Sequence, residues 1–172
     1  ETKGQMQHLE FEIPSRGLIG LRSQMLTNTA GEAVMAHRFL EYKPWKGNIP
    51  GRQMGVLIAK EPGDTTAYSI DKLQDRGSFF VDPGEAIYEG MIIGEHNRDN
   101  DLEVNVLRGK QLTNFRVSGT DEAVRLITPI ALSLESAVEF IDDDELVEIT
   151  PKTIRIRKRY LLEHERKRSI KA

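Results

Sequence analysis

The chain has 172 residues and a mass of 19.5 kDa, with 38% hydrophobic and 30% charged residues. This apolar fraction is enough for a packed core and excludes global disorder, and the length fits one large domain or a small domain plus part of another. The absence of cysteine excludes disulfides and thiol chemistry and favours the cytoplasm, and no apolar run approaches the roughly 20 residues that span a bilayer, so we expect no membrane partner.

The formal net charge of −3 hides a strong polarity along the chain. Residues 120–150 carry nine acidic side chains and one basic one, whereas residues 151–172 carry nine basic side chains and two acidic ones. Such an asymmetry indicates a polyanionic partner for the basic end. The alternative is that the basic end pairs with the acidic segment inside its own fold, and both interpretations stay open at this point.

The first 44 residues predict a strand–helix–strand module. Met6–Ile13 alternates between apolar and polar residues as a half-buried strand does, and Pro14 ends it. Ser15 is a helix cap for an amphipathic helix to about Thr29, and Val34–Tyr42 is typical of a second strand. This module is too short to bury both of its faces, so we expect it to be the second half of a larger α/β domain.

Residues 45–172 predict a second domain of short strands and short helices. After a loop rich in Pro and Gly, the expected strands and helices follow in order: strands at Gly55–Ala59, Thr65–Ile70, Met91–His96 and Leu102–Leu107, a helical turn at Asp71–Arg76, a short helix capped by Ser133, a hairpin of Leu146–Ile149 with Thr153–Arg157, and a basic helix at Arg159–Lys171. Close spacing of short strands is typical of a small barrel. The predicted class is therefore α+β, with a partial ferredoxin-like module before a mainly-β, small-barrel-like domain.

Catalytic and metal-binding patterns do not emerge from the sequence. The four histidines lack metal-ligand spacing, and the acidic run Asp142–Glu145 lacks the spaced ligands and the glycine of a calcium loop. Gly109-Lys110 is similar to the end of a phosphate loop, but Val104 stands where its first glycine belongs. We therefore expect no enzyme activity, no metal and no cofactor in this part of the protein.

The segment 97–119 is the first candidate for RNA contact. After Leu107 it has cations, amides, hydroxyls and one aromatic ring between glycines and no acid. Cations neutralise phosphates, amides bond to backbone or base edges, and Phe115 could stack on a base. The alternative is an ordinary hairpin loop with Phe115 in the core. The predicted contact residues here are Arg108, Lys110, Gln111, Asn114 and Arg116.

Two further cationic sites complete the predicted RNA-binding set. In the last strand, isoleucines alternate with Arg155 and Arg157, which places both arginines on one face, and Lys158 and Arg159 follow. Gly17-Leu18-Ile19-Gly20 has the G-x-x-G spacing that clamps RNA backbone in KH modules, at a helix start beside Arg16. A solubilising basic end and a chance pair of glycines are the alternatives.

Several longer motifs resemble one family. Residues 13–20, IPSRGLIG, resemble the start of the second helix in the last elongation-factor-G-like domain of the BipA/TypA translational GTPases. The motifs LQDRG at 73–77, YEGMIIGE at 88–95, LTN at 112–114, SGTDEA at 118–123, FIDDDELVE at 140–148 and TIRIRKR at 153–159 resemble the C-terminal domain of that family. The resemblance covers essentially the whole chain.

This resemblance implies a longer parent protein in which an N-terminal domain holds GTP and magnesium. Residues 1–44 would be the second half of an elongation-factor-G-like domain, and residues 45–172 the family-specific domain. The family binds the ribosomal A-site region and acts in stress adaptation and large-subunit assembly. The loop at 97–119 would approach A-site transfer RNA and the peptidyl-transferase region. The expected partners are thus ribosomal RNA and transfer RNA.

A second class of function stays open beside RNA binding. The acidic run Asp142–Glu145 and the incomplete first sheet both fit a protein-interaction module without direct RNA contact. Because an incomplete sheet exposes an edge, we also predict that the chain tends to form a homodimer.

Overall fold

The computed structural model describes residues 2–3, 6–47, 51–109 and 125–169. These residues separate into two compact units, Glu1–Pro50 and Gly51–Ala172. The first is predominantly extended with one helix, and the second contains a six-stranded sheet with three helices. The α+β class predicted from the sequence, with a mainly-β second part and short helices, is confirmed.

The first unit contains less regular strand than the sequence pattern predicts. Strand β1 (Thr2–Lys3) pairs antiparallel with β2 (Met6–Gln7), and the remainder of the predicted first strand is extended without a ladder. The predicted second strand at 34–42 is also unpaired among the described residues. Alternation indicates extended backbone, but a strand also requires a neighbour that exchanges hydrogen bonds with it. Ion pairs join these segments instead, such as Arg38 with Glu10 at 3.7 Å.

The predicted first helix is divided in two. A 3-10 turn at Ser15–Leu18 precedes helix α1 (Leu21–Asn28), and Ser15 supplies no side-chain cap because Pro14 holds the capping position. Gly20 between them has φ of +74°, a left-handed conformation that glycine adopts without strain. The glycine therefore interrupts the helix that apolar spacing alone predicts as continuous.

The second unit is built on a β-sheet whose central strand is Met91–His96. The strands are β3 (Val56–Ala59), β4 (Gly63–Asp64), β5 (Gly77–Phe79), β6 (Ala86–Ile87), β7 (Met91–His96), β8 (Leu102–Val104), β9 (Glu145–Ile149) and β10 (Ile154–Lys158). The main sheet has the order β8-β3-β7-β10-β9, with β5 also paired to β7, and β4 and β6 form a separate ribbon. All pairs are antiparallel except β3 with β8. Strands β5, β8 and β9 each pair with a single neighbour and are therefore the edges of this sheet in the described chain.

Three helices accompany this sheet: α2 (Ala67–Leu73), α3 (Leu134–Phe140) and α4 (Glu163–Ser169). Because α2 begins at Ala67, the predicted strand at 65–70 is wrong. A 3-10 turn at Gln74–Arg76 follows the helix. The hydroxyl of Thr66 accepts a hydrogen bond from the Ser69 amide at 3.2 Å and so caps the start of the helix. This cap favours a helix although the neighbouring residues have a preference for strand. For α3, the predicted cap at Ser133 is confirmed, with Ser136 completing a reciprocal capping box.

The sheet buries apolar side chains on both faces. On one face Leu57, Ile93 and Val106 are fully buried in a core that also includes Ile70 of α2. On the other face Val56, Ile92 and Ile156 pack with Ala137 of α3. Successive side chains of β3 thus enter opposite cores, which explains why all four of its residues are buried.

Candidate nucleic-acid interface

Strand β10 separates its side chains into an apolar face and an arginine face. Ile156 is fully buried against α3, whereas Arg155 and Arg157 lie on the opposite side and are half-buried. Across the ladder they are paired with Glu148 and Leu146 of β9. The predicted sharing of one face is therefore correct, but the face is less exposed than alternation implies. We refer to Arg155, Arg157 and Glu148 as the arginine face.

Tyr88 borders the arginine face. Its hydroxyl donates to Oε2 of Glu148 at 2.8 Å, and burial together with this bond raises the pKa of Tyr88 to about 12. The charges of Arg157 and Arg155 oppose that shift, so both guanidinium groups lie within electrostatic reach of the phenol. Tyr88 and Glu148 are not among the predicted site residues, because a separation of 60 residues gives no local signal in the sequence.

The donors of the arginine face are only partly used inside the protein. Nε of Arg155 is buried without a hydrogen-bond partner in the described chain. Nη1 of Arg157 donates to the Lys158 carbonyl at the long distance of 3.4 Å. A guanidinium group presents five donors in a planar fork that fits phosphate oxygens. Because Nε of Arg155 is buried, the donors that this face can offer an anion are the Nη groups of the two half-buried arginines, while Glu148 lowers the net charge of the face.

The prediction that Lys158 lies on an exposed cationic surface is wrong. Its side chain is 3% exposed, and Nζ contacts Asp101 at 2.7 Å, Asp144 at 2.9 Å and Glu145 at 3.0 Å. Burial alone lowers the pKa of Lys158, but bonds to the aspartates and the charge of Glu145 outweigh it and raise the pKa. This ammonium group is neutralised by the acidic run, which is the alternative that the charge pattern left open.

Arg52 joins the same internal network. Its guanidinium binds both carboxylate oxygens of Glu145, at 2.7 and 3.0 Å, and donates to the Phe140 carbonyl at 2.8 Å. Because the Glu145 side chain is fully buried, its charge is stable only when it is compensated by cations, here Arg52 and Lys158. We refer to Arg52, Lys158, Asp101, Asp144 and Glu145 as the buried charge cluster.

The terminal helix also uses cations internally. Arg166 is buried and donates to Glu103 at 2.7 Å as well as to the carbonyls of Tyr160 and Leu161. Lys167 pairs with Glu163 one turn earlier. The basic composition of this helix therefore overstates its positive surface.

The remaining predicted contact residues differ in their contacts and in whether the structure describes them. Arg159 is exposed and donates to the Asp143 carbonyl at 2.8 Å, and Arg108 is exposed, with its carbonyl held by Thr66 and Ser69. In the first unit, Arg16 stacks on the Trp45 ring at 3.5 Å and donates to the Gly47 carbonyl. These three residues keep their place as predictions. Lys110, Gln111, Asn114 and Arg116 lie outside the described residues, and their contacts also stay predictions.

Within the described residues, no group of three or more His, Cys, Asp or Glu side chains is arranged to hold a metal ion. In the acidic run 142–145, Asp144 forms an ion pair with Lys158, and Glu145 forms ion pairs with Lys158 and Arg52. In the same ranges, none of the helices has the length and apolar character needed to cross a bilayer.

Comparison with known proteins identifies both units. The model described as "Elongation factor G C-terminus" matches residues 1–53, which places the first unit in the ferredoxin-like class of translation-factor domains. The model described as "TypA/BipA C-terminal domain" matches residues 54–163. The chain therefore belongs to the TypA/BipA family and corresponds to its C-terminal region, as its motifs suggested.

Curated relatives support the same assignment. Proteins named "Large ribosomal subunit assembly factor BipA" are 54% identical over 170 residues in Salmonella typhimurium and 53% identical over 173 residues in Escherichia coli K12, covering 98% and 100% of this chain. A protein of the same name from Synechocystis is 52% identical over 150 residues, or 87% of the chain. The chain spans about 28% of the length of the first two relatives and 25% of the third.

Proposed function

We propose that this chain is the ribosome-binding region of a cytoplasmic translational GTPase that acts in large-subunit assembly and in translation under stress. The observation that carries the proposal is the 53–54% identity, along essentially the whole chain, to proteins named large ribosomal subunit assembly factors. The match to the C-terminus of elongation factor G supports the same class of partner. GTP and magnesium would be bound by another domain of the longer protein, and this region would perform no chemistry.

We further propose that the region contacts RNA near the ribosomal A site and the peptidyl-transferase region. The described part of the chain contributes the Nη groups of the half-buried Arg155 and Arg157 and the exposed Arg108 and Arg159. Phosphate contacts by such side chains position a protein on RNA without reading its sequence. Lys158 and Arg166 are not part of this surface because their charges are neutralised internally.

Sedimentation with purified large subunits over a range of salt concentrations tests RNA contact. We expect steep salt dependence, and removal of one phosphate-binding side chain should reduce the slope of log K against log salt by about 0.7. Replacing Arg155 and Arg157 together with Gln removes both guanidinium groups and retains polar side chains. The matched control replaces the exposed Lys60 and Arg98 with Gln, which removes the same charge elsewhere.

Two results would contradict RNA contact through the arginine face. One is a flat salt dependence for the parent chain, and the other is equal weakening by both double variants. A companion variant, Arg108, Lys110 and Arg116 to Ala, tests the loop contribution in the same assay. Titration of GTP against the chain should show no binding, and measurable affinity would reject the assignment of the nucleotide to another domain.

A homodimer is a second proposal, supported by apolar exposure in the first unit. Phe11 is 78% exposed, Val34 is 90% exposed and Tyr42 is 94% exposed, which is unusual for large apolar side chains in one short unit. Burying such a surface against a second copy would stabilise it. Light scattering at increasing concentration measures this directly, and a strict monomer at high concentration would reject it.

A further inference from the structure

The outer edge of strand β9 is a second candidate interface, on a different element from the arginines of β10. We propose that this edge binds an extended, cationic polypeptide segment as an added strand. The inference concerns a protein partner, and it stands whether or not the arginine face contacts RNA.

The hydrogen-bond register shows which backbone groups of β9 are available. Thr150 donates to the Thr153 carbonyl at 3.0 Å, and Arg159 donates to the Asp144 carbonyl at 2.8 Å. In an antiparallel pair such bonds recur at every second residue, so residues 146 and 148 also point their N–H and C=O groups towards β10. The N–H and C=O groups of Val147 and Ile149 therefore point away from the sheet, and the described chain supplies no strand to bind them.

These outward groups match an extended polypeptide. Residues two apart on a strand are separated by about 6.6–6.8 Å, and a partner strand has the same repeat and the complementary donors and acceptors. Exposed edges are usually protected by proline, lysine or a bulge, but the sequence ELVEI of β9 has no proline or lysine and its pairing with β10 is regular. Ile149 at the end of the strand is 63% exposed, although strand residues of this type are normally covered.

The charges near the edge of β9 indicate that its partner is cationic. Glu135 and Glu139 of α3, which packs on β10, have no ion pair in the described chain, and Asp142 and Asp143 immediately precede β9. Arg52 is committed to Glu145, and Arg159 donates to the Asp143 carbonyl. Arg155 and Arg157, opposite Glu148 and Leu146, lie on the other face of the sheet, and Lys152 lies in the β9–β10 turn. On the α3 side of the edge the unpaired carboxylates of the helix disfavour RNA and disfavour a second copy, which would bring the same acids.

Apolar side chains on the same helix complete the recognition surface. Leu134 is 45% exposed and Val138 is 43% exposed, four residues apart and therefore on one face of α3. A strand added at β9 directs alternate side chains to opposite faces. The structure thus favours a segment in which Lys or Arg alternates with apolar residues, with the cations and their aliphatic stems on the α3 side and the apolar side chains over the half-buried Leu146 on the other face.

The experiment uses the whole 172-residue chain and a fluorescein-labelled ten-residue peptide in which Lys alternates with Val. Fluorescence anisotropy should show saturable binding, and amide resonances of Val147 and Ile149 should shift in NMR spectra. Methylating alternate backbone nitrogens of the peptide removes its donors without changing the protein, and we expect at least a tenfold loss of affinity. A peptide with Glu in place of Lys should not bind.

Protein variants provide the matched controls. Ile149→Pro removes an outward N–H that β10 does not use, and it should weaken binding about fivefold or more, whereas Ile149→Thr retains the N–H and should bind like the parent. Glu135→Lys with Glu139→Lys should also weaken binding, whereas the same change at the exposed Glu61 and Asp64, at the separate β4–β6 ribbon, should have little effect. Circular dichroism confirms that each variant is folded.

Three outcomes would overturn the proposal. The first is equal binding of the methylated and unmethylated peptides, and the second is no shift at the Val147 and Ile149 amides. The third is a dimer of the parent chain that Ile149→Pro abolishes, because a second copy would then be the occupant of the edge.

Discussion

Replacing Lys158 with Met tests whether this residue stabilises the fold or contacts RNA. The substitution retains an unbranched side chain of similar length but removes the ammonium group from Asp101, Asp144 and Glu145. The side chains of Asp101 and Asp144 are 39% and 63% exposed and can be hydrated, whereas that of Glu145 is fully buried and keeps only Arg52. Breaking a buried ion pair costs about 3–5 kcal/mol, and the remaining arginine places the expected loss at the lower end, about 3 kcal/mol.

Urea denaturation followed by circular dichroism measures this loss in the free energy of unfolding. The double variant Lys158→Met with Glu145→Gln should lose less than the sum of the single changes, with a coupling of about 1–3 kcal/mol, because the uncompensated carboxylate is then absent. A loss below about 1 kcal/mol for Lys158→Met, combined with weaker ribosome binding, would refute this reasoning and return Lys158 to the RNA-binding set.

Three further predictions follow from the second unit. Bonds from Arg52 and the charge of Lys158 outweigh burial and hold the pKa of Glu145 below its usual 4.5, so its contribution to stability is present above that value and lost as pH falls further; a pH series of urea melts of the parent and Glu145→Gln checks this. The raised pKa of Tyr88 means that its ultraviolet titration should be centred at about 12, and Tyr88→Phe should remove that component and cost about 1 kcal/mol; a midpoint near 10 would contradict the bond to Glu148. Gly90→Ala should destabilise more than Gly84→Ala, because both have φ near +80° but only at Gly90 does the added Cβ approach backbone, at 2.7 Å from Leu161; equal losses in thermal melts would contradict this.

Local signals explain which elements the sequence predicts well. The capping box at Ser133 and Ser136 lies within four residues, and β7 occupies the predicted residues 91–96. The β9–β10 hairpin also forms where the turn around Pro151 predicts it. In each case, the residues that decide the structure are close neighbours in the chain, so their pattern is sufficient.

Interactions between distant residues account for what was missed. Arg52 and Glu145 are 93 positions apart, and no local pattern connects them. Lys158 is a different case, because it follows Ile154 and Ile156 at intervals of two and therefore lies on their buried face. The alternation that placed Arg155 and Arg157 correctly also contained this information, whereas the prediction relied on the number of cations at the end of the chain.

The position of β10 in the sheet has a consequence for folding during synthesis. Strand β7 pairs with β10 through Ile92 and Ile156, which are separated by more than 60 residues, and Ile156 completes the core beneath α3. During translation, β7 emerges long before its neighbour β10, so Val56 and Ile92 stay accessible to water and to chaperones until β10 has left the exit tunnel. This domain therefore acquires its full core only after β10 has been synthesised, however early its other strands are complete.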